Sequence, residues 1–246
     1  MPNLQPIEEV VGEKLLTQVG KPLKSTKQVL RGKELVGLYF GASWESRCQK
    51  FTEPLVEFYK LCSEGGAAKF EIVYCPSDDD ITDFEEYYKK MPWCSLPTTE
   101  DGGKTTKANL ITKLKISDIP MLVIVDGKTG EFVAGGKAVH EVTTAVEEEK
   151  SKTKSKSDDG NDTTKTKKEK CMELIQTWKS QERKPLVDGH IYMAQDRAGS
   201  FVSNFIKSML FFFCLMYGSR FLMYLIAQGI KFYMSSTKTL TTTSEL

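Results

Sequence analysis

An apolar run that leads through a short turn into an amphipathic helix pattern constrains this fold most. Residues 35–40 read LVGLYF, which predicts a buried strand. A short turn that contains Trp44 follows. Beyond it, Phe51, Leu55 and Phe58 recur at steps of three and four, which predicts a helix with one apolar face. A strand that passes into a helix in this way often presents a reactive cysteine at the start of the helix.

The alternation of strands and helices continues along the chain. Runs rich in apolar and β-branched side chains predict strands over residues 70–75, 121–125 and 131–133, the last two joined as a hairpin. Apolar residues at helical spacing predict helices over residues 7–19, 79–90 and 109–114. The expected fold class is therefore α/β, with a central mixed sheet flanked by helices.

Charge and cysteine content exclude several function classes. Lysine and arginine total 34 against 33 aspartates and glutamates, so no excess of positive charge favours a nucleic-acid partner. The six cysteines are widely spaced, unlike those of a secreted disulfide scaffold. His140 and His190 lie far apart without ligand-spaced companions, so neither a metal nor another cofactor is expected. The N-terminus does not resemble a secretory signal, which favours synthesis into the cytosol.

Residues 147–170 contain no apolar side chain. Such a segment cannot bury enough surface to offset its ordering entropy, so a disordered charged tether is expected there. It would separate a folded domain, residues 1–146, from a short amphipathic helix and juxtamembrane segment, residues 171–203. Ile175 and Trp178 in that segment fit a helix that could dock back on the domain.

A hydrophobic segment follows over residues 204–234 and is long enough for a membrane helix, which needs roughly 20 residues. Arg220 near its middle costs about 2.5–3.5 kcal/mol on insertion scales, which the many Phe and Leu side chains can offset. Polar residues fall along one side of this helix: Arg220, Tyr224, Gln228 and Lys231. The stripe fits a spanning helix beside a partner in a membrane complex, which we favour, or a helix that lies in the interface.

Only the polar residues 235–246 follow this segment, so we expect a single-pass tail anchor that leaves the domain in the cytosol. Lys207, Lys231 and Lys238 flank a segment of moderate hydrophobicity. This combination favours the mitochondrial outer membrane over the endoplasmic reticulum.

The turn before the second predicted helix reads WESRC over residues 44–48. A dithiol exchange enzyme needs one cysteine at the helix N-terminus, where the helix dipole stabilises the thiolate, and a second one turn later. Glu45 stands at the first position, where it stabilises the start of the helix, and only Cys48 remains at the second. Glu45 disfavours a thiolate at Cys48, whereas Arg47 and Lys50 favour it. A buried structural thiol is favoured over a reactive one.

Motifs in the same order resemble those of the tryparedoxins and nucleoredoxins, members of the thioredoxin superfamily: FGASWESRCQKFTEPLVEFY, FEIVYCPSDDD, MPWCSLP and ISDIPMLVIVD. The resemblance covers roughly Leu35 to Val133 and implies a thioredoxin-like fold. In that family the tryptophan before the active site, here Trp44, is followed by Cys-Pro-Pro-Cys. This chain departs from that motif in three places and keeps only its last cysteine, Cys48.

The same resemblance implies further site residues. The family's cis-proline corresponds to Pro120, which follows Ile119, and its second site-lining tryptophan corresponds to Trp93. Together with Trp44 they would border a groove that holds an extended peptide. Cys94 would lie near the active-site edge, so one hypothesis is that it pairs with Cys48 or serves as an alternative thiol. An unpaired loop cysteine is the favoured interpretation of Cys94.

The favoured function is that of a membrane-anchored, tryparedoxin-like protein that has lost the dithiol motif and acts as a redox-inactive binding or adaptor module. Its partners would be a protein in the groove and a membrane at the C-terminal helix. One alternative is a monothiol disulfide oxidoreductase that uses Cys48. The other is a structural subunit of a membrane complex.

Overall fold

The computed structural model describes residues 7–63, 69–98, 103–147, 166–195 and 208–209. The chain divides into two compact units, Met1–Arg197 and Ala198–Leu246. All described residues except 208 and 209 belong to the first unit, which carries every element described below.

A five-stranded mixed sheet forms the centre of the first unit, in the order β5-β4-β3-β6-β7. Strands β3, β4 and β5 pair in parallel, whereas β6 and β7 are antiparallel to their neighbours. A separate antiparallel pair, β1 and β2, precedes this sheet. The strands are β1 (Lys14–Leu15), β2 (Lys24–Ser25), β3 (Leu35–Gly41), β4 (Phe70–Pro76), β5 (Cys94–Ser95), β6 (Met121–Asp126) and β7 (Phe132–Ala134).

Helices cover both faces of the sheet. They are α1 (Ile7–Val11), α2 (Thr26–Val29), α3 (Ser46–Ser63), α4 (Ile81–Tyr88), α5 (Gly103–Leu114), α6 (Ala138–Val146) and α7 (Lys167–Ser180), followed by a 3₁₀ turn at Leu186–Asp188. Residues 189–195 are also helical. Helices α3, α6 and α7 contact one another on one face, whereas α5 contacts α1 and the 3₁₀ turn on the other.

Two apolar clusters hold these layers together, because successive side chains of a strand point to opposite faces. The α3-side cluster contains Tyr39 of β3, with aromatic side chains from α3, α4 and α7. The α5-side cluster contains the neighbouring residues Leu38 and Phe40, which pack against α1 and α5. Both faces of the central strands are therefore buried, as expected for a mixed sheet covered by helices. The predicted α/β fold class is confirmed.

The predicted first helix, residues 7–19, is wrong in its extent. Helix α1 ends at Val11, and Leu15 lies in strand β1. Gly12 has a φ of 85°, a left-handed conformation that ends the helix and that other residues rarely adopt. The apolar spacing continued past this turn because both the helix and the strand bury side chains in the α5-side cluster.

Helix α7 begins inside the predicted disordered tether. Thr166 caps it, with a reciprocal hydrogen-bond pair between Thr166 and Glu169, and the helix starts at Lys167. Residues 166–170 are therefore ordered, whereas residues 148–165 lie outside the described residues. Because α7 packs against α6 and α3, the charged segment connects two helices of one domain and does not lead out of it.

The domain extends well beyond its predicted boundary at residue 146. Ile175 and Trp178 of α7 are fully buried in the α3-side cluster. Lys184 then pairs with Phe132 of β7, with N to O distances of 2.8 and 2.9 Å, and Leu186 and Met193 pack into the α5-side cluster. The amphipathic helix predicted near Trp178 thus completes the domain.

The predicted membrane segment, residues 204–234, lies outside the described residues apart from 208 and 209. The predicted polar stripe and the tail, residues 235–246, lie outside them as well. Within the ranges that are described, no helix combines the length and the apolar character that a membrane crossing requires. The anchor therefore stays a prediction.

Candidate functional site

The turn between β3 and α3 is fixed from the neighbouring strand. Asp78 accepts hydrogen bonds from the Ser43 amide at 2.7 Å and from the Tyr74 hydroxyl at 3.1 Å. The carbonyl oxygen of Glu45 accepts a hydrogen bond from the Cys48 amide at 3.0 Å, and this bond begins helix α3. Glu45 therefore stands at the helix N-terminus, where unpaired backbone amides stabilise a negative charge.

Arg47 ties the carboxylate of Glu45 to a distant loop. Its Nε and Nη2 atoms donate to Glu45 Oε1 and Oε2 at 3.2 and 3.1 Å. Its Nη1 and Nη2 atoms donate to Asp118 Oδ2 and Oδ1 at 3.1 and 2.8 Å. Hydrogen bonds from the Arg47 side chain and backbone lower the pKa of Glu45. The position where a nucleophilic thiol would stand thus holds an ionised, paired carboxylate.

Cys48 is fully buried, with none of its surface exposed. Burial raises the pKa of its thiol to about 11, and the charge of Glu45 acts in the same direction. A backbone hydrogen bond from Ala42 and the hydroxyl of Tyr39 oppose these effects without outweighing them. Cys48 is therefore protonated and shielded at neutral pH.

Three hydroxyls cluster beneath Cys48 in the core. Thr52 Oγ1 lies 2.9 Å from the Cys48 carbonyl oxygen, 2.9 Å from the Tyr39 hydroxyl and 2.6 Å from the Tyr87 hydroxyl. Burial raises the pKa of both tyrosines, Tyr39 and Tyr87. The cluster can satisfy the polar groups around Cys48, but neutral hydroxyls of this kind cannot take up the proton of its thiol at neutral pH.

The Arg47–Asp118 contact joins the segment that contains Trp44 to the segment that contains the Ile119–Pro120 peptide. The Trp44 side chain is 65% exposed, and Ile119 and Pro120 are half-buried. The Ile119–Pro120 bond is cis, as the resemblance implies. We call the surface formed by Trp44, Ile119 and Pro120 the Trp44 surface.

Trp93 does not border this surface. Only 2% of it is exposed, and its ring packs edge-on against Tyr39 and Tyr59, with centroid distances of 6.4 and 5.6 Å. Its Nε1 atom has no hydrogen-bond partner among the described residues. The expectation that Trp93 forms a groove wall is corrected, because the bulk of its ring fills the α3-side cluster.

Cys94 is a buried strand residue rather than a loop cysteine. It pairs with Val73 in the sheet, and its Sγ donates to the carbonyl oxygen of Ile72 at 3.2 Å. It packs in the α5-side cluster, whereas α3, which carries Cys48, covers the other face. Both thiols are free. This placement argues against the hypothesis that Cys94 pairs with Cys48.

Three residues that shape the site are not predicted by the sequence. Asp118 bonds Arg47, and Thr52 and Tyr87 complete the hydroxyl cluster. A polar residue at an otherwise apolar helix position, as Thr52 is, was the available signal. Within the described ranges, no three side chains of metal-binding type come together.

The region of this chain that is similar to known proteins contains this site. The thioredoxin-like family model matches residues 32–132. Probable nucleoredoxin 1 from Arabidopsis thaliana is 44% identical over 104 residues, which is 42% of this chain and 17% of that protein. Tryparedoxin from Trypanosoma brucei brucei is 37% identical over 98 residues, which is 40% of this chain and 65% of that protein.

Tryparedoxin I from Leishmania major, whose structure is known, is 34% identical, and the match covers 56% of this chain and 90% of that one with a TM-score of 0.47. The chain spans less than two thirds of the length of the curated relatives that it matches. The matched region contains the turn at Glu45, helix α3 and the cis-proline loop.

Proposed function

We propose, since this chain carries a thioredoxin-like domain with nucleoredoxins and tryparedoxins among its relatives, that it acts as a redox-inactive binding or adaptor module held at a membrane. In this proposal the domain has the fold of a thiol exchange protein but serves to bind a partner protein. A protein partner binds at the Trp44 surface, and the C-terminal hydrophobic segment supplies the membrane attachment.

The main support for this proposal is that neither Glu45 nor Cys48 offers a thiolate at neutral pH. Glu45 is ionised and held by Arg47, so it offers no nucleophile. The remaining thiol, Cys48, has a pKa of about 11, so roughly one molecule in ten thousand carries the thiolate at pH 7. An ordinary cysteine is ionised to about 3% at that pH. Burial restricts the access of a substrate disulfide to Cys48 further.

The exposed side chain of Trp44 supports binding at this surface. A large aromatic residue that lies open to solvent is the kind of side chain that dominates protein interfaces. Ile119 and Pro120 add apolar side chains, and the ion pair of Arg47 with Asp118 links their loop to the turn that contains Trp44. The chemistry fits an extended, partly apolar segment of a partner protein.

A disulfide reductase assay on the full chain tests the loss of activity. The wild type is compared with Glu45→Cys and Cys48→Ser in the reduction of insulin disulfides by a small dithiol. We expect no turnover from the wild type and a gain of turnover in Glu45→Cys, which restores the missing thiol. Turnover by the wild type that disappears in Cys48→Ser would overturn the proposal in favour of the monothiol oxidoreductase.

Site-specific photo-crosslinking tests the binding surface. A photoreactive residue replaces Trp44 in cells, and the control replaces Val187, which is similarly exposed at 58% but lies outside the Trp44 surface. We expect a discrete cross-linked protein from position 44 that Ile119→Asp abolishes. Equal labelling from both positions, or labelling that Ile119→Asp leaves unchanged, would contradict specific binding there.

The membrane attachment rests on the sequence of residues 204–234. The proposed topology is a single-pass tail anchor, with the domain in the cytosol and the mitochondrial outer membrane favoured over the endoplasmic reticulum. Alkaline extraction of fractionated membranes and protease accessibility of intact organelles test it. Release of the chain by alkali, or protection of the domain from protease, would contradict this topology.

A further inference from the structure

Two buried cysteines lie on neighbouring helices, far from the WESRC turn. Cys62 lies in the last turn of α3, and Cys171 lies in the second turn of α7. Their exposed fractions are 1% and 0%. The Sγ atom of Cys62 lies 4.0 Å from the carbonyl oxygen of Cys171, to which it donates a hydrogen bond. This is a cysteine pair, separated by 109 positions in the sequence.

Packing on both sides of the pair fixes the two helices against each other. The rings of Phe58 and Trp178 are 5.8 Å apart between centroids. Nearer the start of α7, Lys167 Nζ lies 2.9 Å from Glu57 Oε1. The helices cannot slide apart without breaking these contacts, so Cys62 and Cys171 stay next to each other.

We propose that Cys62 and Cys171 form a reversible disulfide site, at which a low-molecular-weight disulfide oxidises the two thiols and covalently fastens α7 to α3. The site differs from the WESRC motif and uses neither Cys48 nor Cys94. It is independent of the binding function proposed above.

Cys171 is the thiol that reacts first. A hydrogen bond from Cys62 lowers the pKa of Cys171, although burial and the charge of Glu57 act in the opposite direction. The same hydrogen bond raises the pKa of Cys62, which keeps its proton. Local opening at the N-terminal end of α7 gives the reagent access, because helix ends open more readily than the core.

The exchange balances in two steps. The Cys171 thiolate attacks one sulfur of the reagent disulfide, which forms a mixed disulfide and releases one reagent thiolate. Cys62 then loses its proton to the solvent and attacks the Cys171 sulfur, which releases the second reagent thiolate. The two protein thiols lose two electrons and two protons, and the reagent disulfide gains both as two free thiols.

The new bond would close a loop of about 110 residues that spans most of the sheet. A cross-link of this kind restricts the unfolded chain and stabilises the fold. For a chain of this size we expect the oxidised form to melt roughly 5–10 °C above the reduced form.

The test is a disulfide map of the full chain after incubation with oxidised glutathione at about pH 8, with and without urea below the unfolding transition. Remaining thiols are blocked by a maleimide under denaturing conditions before a non-reducing digest. We expect one linked peptide pair with Cys62 and Cys171, maleimide on Cys48, Cys75 and Cys94, and the higher melting temperature.

Serine variants of individual cysteines test whether the link requires both Cys62 and Cys171. Cys62→Ser and Cys171→Ser should lose both the linked peptide and the thermal shift, whereas Cys75→Ser, at another buried free thiol, should keep both. If a serine variant fails to fold, the wild-type map decides alone. Glutathione adducts without the link, a link to another cysteine, or maleimide on both Cys62 and Cys171 in every condition would overturn the proposal.

Discussion

The guanidinium group of Arg47 donates two hydrogen bonds to the carboxylate of Asp118, at 2.8 and 3.1 Å. Arg47 is part of the WESRC turn, and Asp118 precedes the cis peptide between Ile119 and Pro120. The contact therefore joins the two segments that carry the residues of the Trp44 surface. Because Arg47 also bonds Glu45, one cation pairs with two carboxylates.

Arg47→Ala should loosen the cis-proline loop without unfolding the domain. The ion pair is exposed, and exposed pairs contribute little to stability, so the melting temperature should change little. The Ile119 amide, which donates to Asp118 Oδ1 at 3.1 Å, should exchange its hydrogen faster. Hydrogen exchange read by mass spectrometry checks this, with Lys50→Ala on the same helix as the control. Unchanged exchange in the loop would show that Arg47 does not hold it.

Thr52→Val should destabilise the domain by about 1–3 kcal/mol. The change keeps the shape of the side chain but deprives the buried Tyr39 and Tyr87 hydroxyls of their shortest partner. Urea unfolding provides the measurement. Thr177→Val is the matched control, because Thr177 makes the same hydrogen bond to a carbonyl four residues earlier on an exposed helix face. Equal losses in the two variants would contradict the role of the hydroxyl cluster.

Trp178→Ala should cost about 3–5 kcal/mol, since it removes a fully buried ring from the α3-side cluster. It also leaves Glu141 Oε2 without the indole donor at 3.1 Å. Thermal and urea unfolding measure the loss, and Gln176→Ala on the exposed face of α7 is the control. If Trp178→Ala cost no more than the control, α7 would not be part of the domain core.

Glu34 gives the domain a pH dependence in acid. Hydrogen bonds from Lys69, and then from Lys179 of α7, lower the pKa of Glu34 to about 2. A carboxylate whose pKa is lower in the folded state stabilises the fold above its unfolded pKa, near 4.5, and loses that contribution as the pH falls through its folded pKa. The difference in stability between the wild type and Glu34→Gln should be constant down to about pH 5.

Below that pH, the same difference should shrink and vanish near pH 2. Because the group is solvent-exposed, the effect is small and is measured best at low salt. Glu53→Gln, at an exposed position of α3, serves as the control for a general charge effect. A stability difference that persists below pH 2 would show that charge pairing at Glu34 is not its source.

The sequence allowed the strands and the central helix to be predicted because their signals are local. The continuous apolar run in Leu35–Gly41 follows from burial on both faces of the strand, and the period of α3 follows from burial on one face of the helix. Thr166 and Glu169 also carried a local signal for the start of α7. The charged residues around them obscure this signal, so the predicted tether extends into the first turn of α7.

The remaining features depend on contacts between distant residues, which periodicity does not encode. Arg47 and Asp118 are 71 positions apart, and neither residue type indicates its partner. The resemblance to the family implies that Trp93 lines a surface groove. The ring is instead buried against Tyr39 and Tyr59, which the local sequence does not indicate. Glu45 and Cys48 could be singled out from the sequence, which also favoured a buried thiol at Cys48. The hydroxyl cluster beneath that cysteine could not be predicted.

The reactivity of Cys48 in the native chain tests the central claim most directly. Iodoacetamide is applied at pH 7, and the alkylated cysteines are identified by mass spectrometry over time. We expect Cys48 to react about 100-fold or more slowly than a cysteine in an unstructured peptide. Glu45→Gln should lower the pKa of Cys48 only in part, because burial is the larger cause. Alkylation of wild-type Cys48 as fast as the peptide would contradict the account, since it would show an accessible thiolate in a working thiol site.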